Sequence, residues 1–251
     1  MSVRLIILAL LVLARTSAGE AAEIKVLSAG AVKAVIVNVG DAFEKETGHK
    51  LAASFGTVGV TRQKLAAEPA DVVIMTDVAI DEAIRQGSVV AGTRNDIARA
   101  GVGVGVKEGA PRPDISTPEA FKQTLLAAKS LVYVDPAQGA TSGIHFAGVL
   151  QRLGIADAVK SKTILWPGGY AAEAVAKGDA EIVVHQISEI MPVKGVTLVG
   201  PLPKDLQKIT IYSAGVATKS TATDAAKTFI TYLTRPASKA KFATAGLDYK
   251  E

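Results

Sequence analysis

The sequence predicts an α/β protein divided into two lobes, and three observations carry that expectation. Strand-like and helix-like patterns alternate from Ile24 onward, as in sheets covered by helices. Residues 72–75 are a continuous apolar run, suited to a strand buried on both faces of a mostly parallel sheet. Two long β patterns, 97–106 and 209–217, bracket a self-contained α/β block, so the chain crosses twice between an outer and an inner piece. The outer lobe is then residues 22–100 with 213–251, and the inner lobe 101–212. A ligand cleft would lie between lobes joined by two extended hinge segments.

The elements follow in order. A strand at 24–27 precedes a helix at 31–47, whose apolar positions Val32, Val35, Ile36, Val39 and Phe43 share one face. A strand at 50–55 stops at small residues, a helix follows at 61–67, and after the 72–75 strand a short helix at 80–86 ends at Gly87. Gly101, Gly103 and Gly105 run through the first long β pattern. Glycine inside a strand marks a bend or a close backbone approach, and the string lacks the spacing of a dinucleotide loop, so it reads as a hinge. In the inner block, helices at 118–128, 142–153 and 171–177 alternate with strands at 131–134, 163–165 and 182–184. Helices at 223–233 and 236–244 close the chain, the second stopped by Gly246.

Composition excludes several classes. Arg4 precedes an apolar run from Leu5 to Ala14, and small residues at 16–18 and 19–21 suit a signal peptidase. Residues 1–21 therefore read as a secretory leader cut after Ala18 or Ala21, which places the mature protein in a periplasm. The run is too short to span a bilayer, and no later segment is apolar enough to do so. The chain has no cysteine, which removes disulfides, thiolate metal sites, cysteine nucleophiles and a lipid-modified cysteine anchor. The formal charge is +4, or +3 once Arg4, Arg15 and Glu20 leave with the leader, and no block of lysine and arginine is present. Nucleic acid is not an expected partner.

In an open α/β sheet, ligands sit beyond the carboxyl ends of the strands. The loops there are Ser28-Ala29-Gly30-Ala31, Gly56-Thr57-Val58-Gly59, the 135–142 segment ending in Thr141 and Ser142, Gly168-Gly169-Tyr170, and His185-Gln186. Small residues let helix N-terminal amides approach a ligand, and those amides carry partial positive charge, so the loops together point to a small anion. Arg62 and Lys33 lie about one turn into their helices, where either could pair with a carboxylate, Arg62 bidentately. His145 and His185 can both reach a cleft, while His49 sits in a polar turn. No His-x-x-x-His spacing, P-loop or Gly-x-Ser-x-Gly elbow occurs, so neither a metal nor a cofactor is expected.

The segments Phe43-Glu44-Lys45-Glu46-Thr47-Gly48, Ser54-Phe55-Gly56-Thr57-Val58-Gly59, Pro69-Ala70-Asp71-Val72, Asp135-Pro136, Lys177-Gly178-Asp179-Ala180 and Gly246-Leu247 resemble, in this order, the periplasmic molybdate-binding proteins of ABC importers. The likeness covers essentially the whole mature chain and implies the type II periplasmic binding fold, a small anionic ligand, a permease partner and a monomer. The chain departs from that family at its hydroxyl donors. The family's oxyanion-binding serine corresponds to Ala31, its inner-lobe tyrosine to Gln186 beside His185, and its Pro-Ala-Gly turn to Ala140-Thr141-Ser142, while Thr57 keeps a hydroxyl. A desolvated tetrahedral oxyanion needs a full set of donors, so histidine, glutamine, arginine and lysine suit an organic carboxylate better. The leading expectation is a carboxylate-capturing binding protein. A branch of the same superfamily looks like aconitate isomerase, and by that resemblance His145 or His185 would act as base, with Arg62 and loop amides stabilising charge.

Overall fold

A computed structural model describes residues 21–248. The leader expected at residues 1–21 lies outside the described residues, which begin at its final position. The outer half starts with β1 (Glu23–Ala29), a 3-10 turn (Gly30–Val32) and α1 (Lys33–Thr47), followed by β2 (Lys50–Gly56), α2 (Val58–Ala67), β3 (Val72–Thr76) and α3 (Asp77–Arg85). The long β4 (Asn95–Lys107) leads into α4 (Pro118–Ala127), β5 (Leu131–Val134), α5 (Thr141–Arg152), α6 (Ala156–Lys160), β6 (Thr163–Trp166), α7 (Ala172–Lys177), β7 (Ile182–Gln186), α8 (Ile187–Ile190) and β8 (Val196–Pro201). The chain returns through β9 (Ile209–Val216) and ends in α9 (Thr223–Leu233) and α10 (Pro236–Thr244).

Two strands hold the halves together. β4 pairs with β9 over Asn95 to Gly101, then with β7 from Val102 and with β8 from Gly103. β9 continues alongside β3, so the strands run in the order β2-β1-β3-β9-β4-β7-β5-β6, with β8 also on β4. Apolar packing divides along the same line. Ala100 belongs to a cluster with Phe43 and Phe229, whereas Val102, two residues on, belongs to one with Phe121 and Phe146. Phe43 meets Phe229 and Tyr232 edge-on at 5.0 and 5.3 Å, and Tyr133 meets Phe146 at 5.0 Å. Full burial of each phenylalanine stabilises by about 1.5–3 kcal/mol.

The structure refines three details of the sequence reading. The sheets are not mostly parallel: β1 with β2 and β3, and β5 with β6 and β7, are parallel, but β4 and β9 pair antiparallel with each of the named strands beside them. These two strands carry the chain out to the inner half and back, so they must oppose each other. Gly103 and Gly105 lie in β4 just past its crossing between the halves, beside a register shift against β8 at Val104 and Gly105, and both also pack closely. A Cβ on Gly103 would stand 2.7 Å from Ile187, and one on Gly105 2.9 Å from Ile190 and Val183. Finally, α6, α8 and β8 are additional elements, all too short to leave a period in the sequence.

Asp71 locks the outer half. Its carboxylate accepts from the amides of Lys25 (2.8 Å), Thr221 (2.9 Å) and Ala222 (3.0 Å) and from the Ser220 hydroxyl (2.8 Å). Burial alone would raise its pKa, but these donors outweigh burial and hold it below the ordinary aspartate value.

Candidate functional site

A cavity opens where the carboxyl ends of the strands from both halves converge, with an empty volume of about 340 Å³, open solvent at its mouth included. Its outer wall is Ala29, Gly30 and Ala31 where β1 ends, with Gly56, Thr57 and Val58 where β2 gives way to α2. The inner wall is Val134 at the end of β5, Ala140, Thr141 and Ser142 at the start of α5, then Gly169, His185, Gln186 and Glu189; Tyr212 enters from β9. Neither the 3-10 turn nor α5 has a side-chain cap, so their first-turn amides face the cavity end of each element without one. Gly143 brings α5 this close, since a Cβ there would fall 1.9 Å from the Val134 carbonyl.

The walls touch beside the cavity. The Thr57 hydroxyl caps α2 by accepting from Val60 N–H (3.1 Å) and donates its proton across the cleft to the Gln138 carbonyl. Gly59 N–H donates to the Gly139 carbonyl at 3.3 Å. Thr57 therefore lines the cavity as expected, but its proton is committed to the opposite wall and not to a ligand.

His185 is held by both ring nitrogens. Gln186 N–H (2.9 Å) can only donate, and with the Ser142 hydroxyl (3.0 Å) it makes Nδ1 an acceptor. The proton then sits on Nε2 and is donated to the Gly169 carbonyl at 3.0 Å. Glu189, one helical turn further on, approaches Nδ1 at 3.5 Å. With Nδ1 accepting, this is a neutral imidazole beside a carboxyl group and not an ion pair. Burial pushes the Glu189 pKa up, an effect that His185 would oppose only with its imidazole charged, and among the described residues its carboxyl makes no hydrogen bond. Gly30 makes room for it: a Cβ there would be 2.9 Å from Glu189 Oε1.

The cavity floor is polar. Gln186 is 1% exposed, and its Nε2 lies 3.3 Å from the Tyr212 hydroxyl and 3.4 Å from Thr210 Oγ1, while its Oε1 has no partner. Burial and the Glu189 charge raise the Tyr212 pKa well above that of an ordinary phenol, with hydrogen bonds to Thr141 and Gln186 opposing, so Tyr212 remains a neutral hydroxyl.

The cavity thus brings together Ala29, Gly30, Ala31, Gly56, Thr57, Val58, Thr141, Ser142, Gly169, His185 and Gln186 from the sequence reading. Four other candidates stand elsewhere. Ser28 is buried behind the wall with its hydroxyl on the Ala29 carbonyl (3.1 Å). His145 Nε2 bonds the Leu206 carbonyl at 2.8 Å and lines no part of the cavity. Arg62 is exposed in a neighbouring groove with Asp77, Glu82 and Lys208. Tyr170 stacks under Lys33, whose Nζ lies 5.4 Å from its ring and 5.8 Å from that of Phe55. Glu189, Tyr212, Ala140 and Val134 are additional wall residues. Glu189 left one signal: it is the sole charged residue from Ile182 to Ile190, four positions after His185.

Among the described residues, no group of three histidine, cysteine, aspartate or glutamate side chains is placed to hold a metal, and no helix is long and apolar enough to cross a membrane.

Comparison with known proteins places these features in context. The family model for bacterial extracellular solute-binding proteins matches residues 24–248. The chain is 37% identical over 215 residues to an aconitate isomerase of Pseudomonas sp, covering 83% of this chain and 80% of that protein. It is 32% identical over 228 residues to the molybdate-binding protein ModA of Azotobacter vinelandii, covering 87% of each. The solved periplasmic molybdate-binding protein of Azotobacter vinelandii superposes with a TM-score of 0.76 at 19% identity, over 91% of this chain and 100% of that one, and shares the two-lobed fold.

Proposed function

The chain belongs to the bacterial extracellular solute-binding proteins, and from that premise we propose that its cleft moves a double bond within a small unsaturated polycarboxylate of the aconitate type. The observation that carries this is Glu189, a buried carboxyl in the cavity wall without a hydrogen bond, its pKa raised, against a neutral His185. While ionised, such a group repels an oxyanion and adds nothing to its capture. A carboxyl with raised pKa is a stronger base when ionised and a ready acid when neutral.

Ionised Glu189 takes a proton from the methylene carbon, and the C–H electron pair spreads through the double bond towards the carboxylates. The proton returns to the former vinylic carbon, so one C–H bond breaks, one forms, and nothing is consumed. First-turn amides at Ala31, Thr141 and Ser142 face the charge that accumulates on carboxylate oxygen. His185, with both nitrogens engaged, holds the Gly169 turn and α5 in place around the carboxyl. The similarity to an aconitate isomerase supports the same reading.

Proton NMR of trans-aconitate incubated with the protein in heavy water tests it, with cis-aconitate as the expected product. Tight binding with neither conversion nor deuterium incorporation over hours would overturn it in favour of a second reading. In that reading the protein captures an organic carboxylate in the periplasm for an ABC importer, and the backbone contact between Gly59 and Gly139 favours it as a closure contact. N-terminal sequencing of protein from a periplasmic fraction checks secretion, with Gly19 or Ala22 expected as the first residue.

A further inference from the structure

We propose that Gln186 selects the ligand by accepting a hydrogen bond from it, so that the cleft favours acids carrying an O–H group, either a hydroxyl or a carboxyl that keeps its proton. The proposal deepens the preceding one and rests on its premise that the cleft takes a small organic acid. Gln186 occupies the last position of β7, opposite Val102, and its side chain lies in the cavity floor. Its Nε2 is directed at Thr210 and Tyr212, both on β9, which leaves Oε1 buried without a partner among the described residues. Buried acceptors are rarely left orphaned, because the group has given up water for nothing.

The rest of the cavity defines what can satisfy that atom. The amides at the starts of the 3-10 turn and α5 are donors and suit carboxylate oxygen. Gln186, with its unpartnered acceptor Oε1, lines the cavity together with Glu189. A ligand made only of acceptors, such as molybdate or sulfate, satisfies the amides and leaves Oε1 unpaired. An acid with one O–H satisfies both sets, and an unpaired buried group lowers affinity about tenfold or more. A half-turn of the Gln186 amide would aim Nε2 at the ligand and predict the opposite preference, so the test separates these orientations.

Citrate and tricarballylate differ only by a hydroxyl. Calorimetric titration of the wild-type protein with each, in two buffers of different ionisation heat, identifies the donor. A hydroxyl donor gives citrate about a tenfold advantage. A carboxyl donor gives no such advantage, but about one proton is taken up per tricarballylate bound. Glu189, His185 and Tyr212 face the same cavity, so uptake is also measured in Glu189→Gln, where it should persist. Gln186→Leu is expected to erase the preference or the uptake, and Gln186→Glu, which keeps an acceptor, to retain it, with thermal melts confirming that both variants are folded.

Absence of both signatures in the wild-type protein, or their survival in Gln186→Leu, overturns the proposal, as does tighter binding of molybdate than of either acid. The isomerase reading fails separately. A Gln186-dependent preference without conversion of trans-aconitate leaves this inference standing alone, and conversion without the preference does the reverse.

Discussion

Gly59 N–H donates to the carbonyl of Gly139 across the cleft, at 3.3 Å, and neither Cα has room for a side chain. A Cβ on Gly59 would lie 2.6 Å from the Gln138 carbonyl and 3.0 Å from Gly139 Cα. Gly59 is a helical residue in α2, so Gly59→Ala should by itself favour the helix by about 1 kcal/mol. The clash is between halves, so the outer half folds normally while the cleft is held apart. We expect an unchanged or slightly raised melting temperature, and a ligand affinity about tenfold weaker from a displacement on the scale of 1 Å. Wild-type affinity in this variant would show that closure does not pass through the Gly59–Gly139 contact.

Glu189 links activity to stability through one proton. Burial raises its folded pKa above that of the unfolded chain, about 4.3, so between these two values the folded state binds more protons. Folding stability contributed by this site therefore falls as pH rises from the unfolded value to the folded one, then levels off. Glu189→Gln removes the effect and should melt higher than wild type at neutral pH, with the gap growing from pH 4 upward. The same variant should lose isomerisation by about 10²–10⁴-fold. In the wild-type protein the acid limb of kcat/KM should rise through the pH at which the stability gap levels off.

The loops that build the cavity were legible because strands ending in small residues before helices have one use in this architecture, and Gly30, Gly56 and Thr141 all stand at such ends. Glu189 was not legible. It lies on α8, a four-residue helix that shows no period, and glutamate is a residue type assumed to face water. Thr57 lines the cavity, but the acceptor for its proton, Gln138, is 81 positions away, a pairing that no local pattern shows. Helix α2 starts at Val58, three residues before the 61–67 helix that the periodicity indicates, and Arg62 lies on its exposed side.

Arg62 should consequently matter little for ligand binding. Its guanidinium is exposed in the adjoining groove, where its charge acts on Glu82. Exposed charges are screened over about 10 Å in ordinary salt, so Arg62→Ala should weaken ligand affinity by less than about threefold, with the difference vanishing at high salt. A salt-independent loss of tenfold would put a carboxylate on Arg62 after all.

His145 should prove structural. Burial lowers its pKa, against the hydrogen bond to Leu206, with Lys208 and Arg152 adding to the lowering. The folded state then holds fewer protons than the unfolded chain, so stability falls as pH drops through the ordinary histidine range towards the folded value. His145→Gln should leave isomerisation intact at pH 7.5 and flatten the loss of melting temperature below pH 6.5. An activity loss comparable to that of Glu189→Gln would return His145 to the reacting site.

Asp71 should set the acid stability of the outer half. Its folded pKa lies below the unfolded aspartate value of about 3.9, because hydrogen bonds from Lys25, Ser220, Ala222 and Thr221 outweigh the raising effect of burial. A depressed carboxylate contributes stability that is fully present above the unfolded pKa and lost as pH falls through the folded one. In Asp71→Asn one donor must face another, since the new amide has a single acceptor oxygen for donors that now occupy two. Charged hydrogen bonds are worth about 1.5–3 kcal/mol each, so the variant should lose roughly 2–4 kcal/mol at pH 7, a drop of order 5–15 °C in melting temperature. The deficit should shrink below pH 4 as the wild-type carboxylate titrates, and a deficit constant down to pH 2.5 would show that shape, and not charge, is what Asp71 supplies.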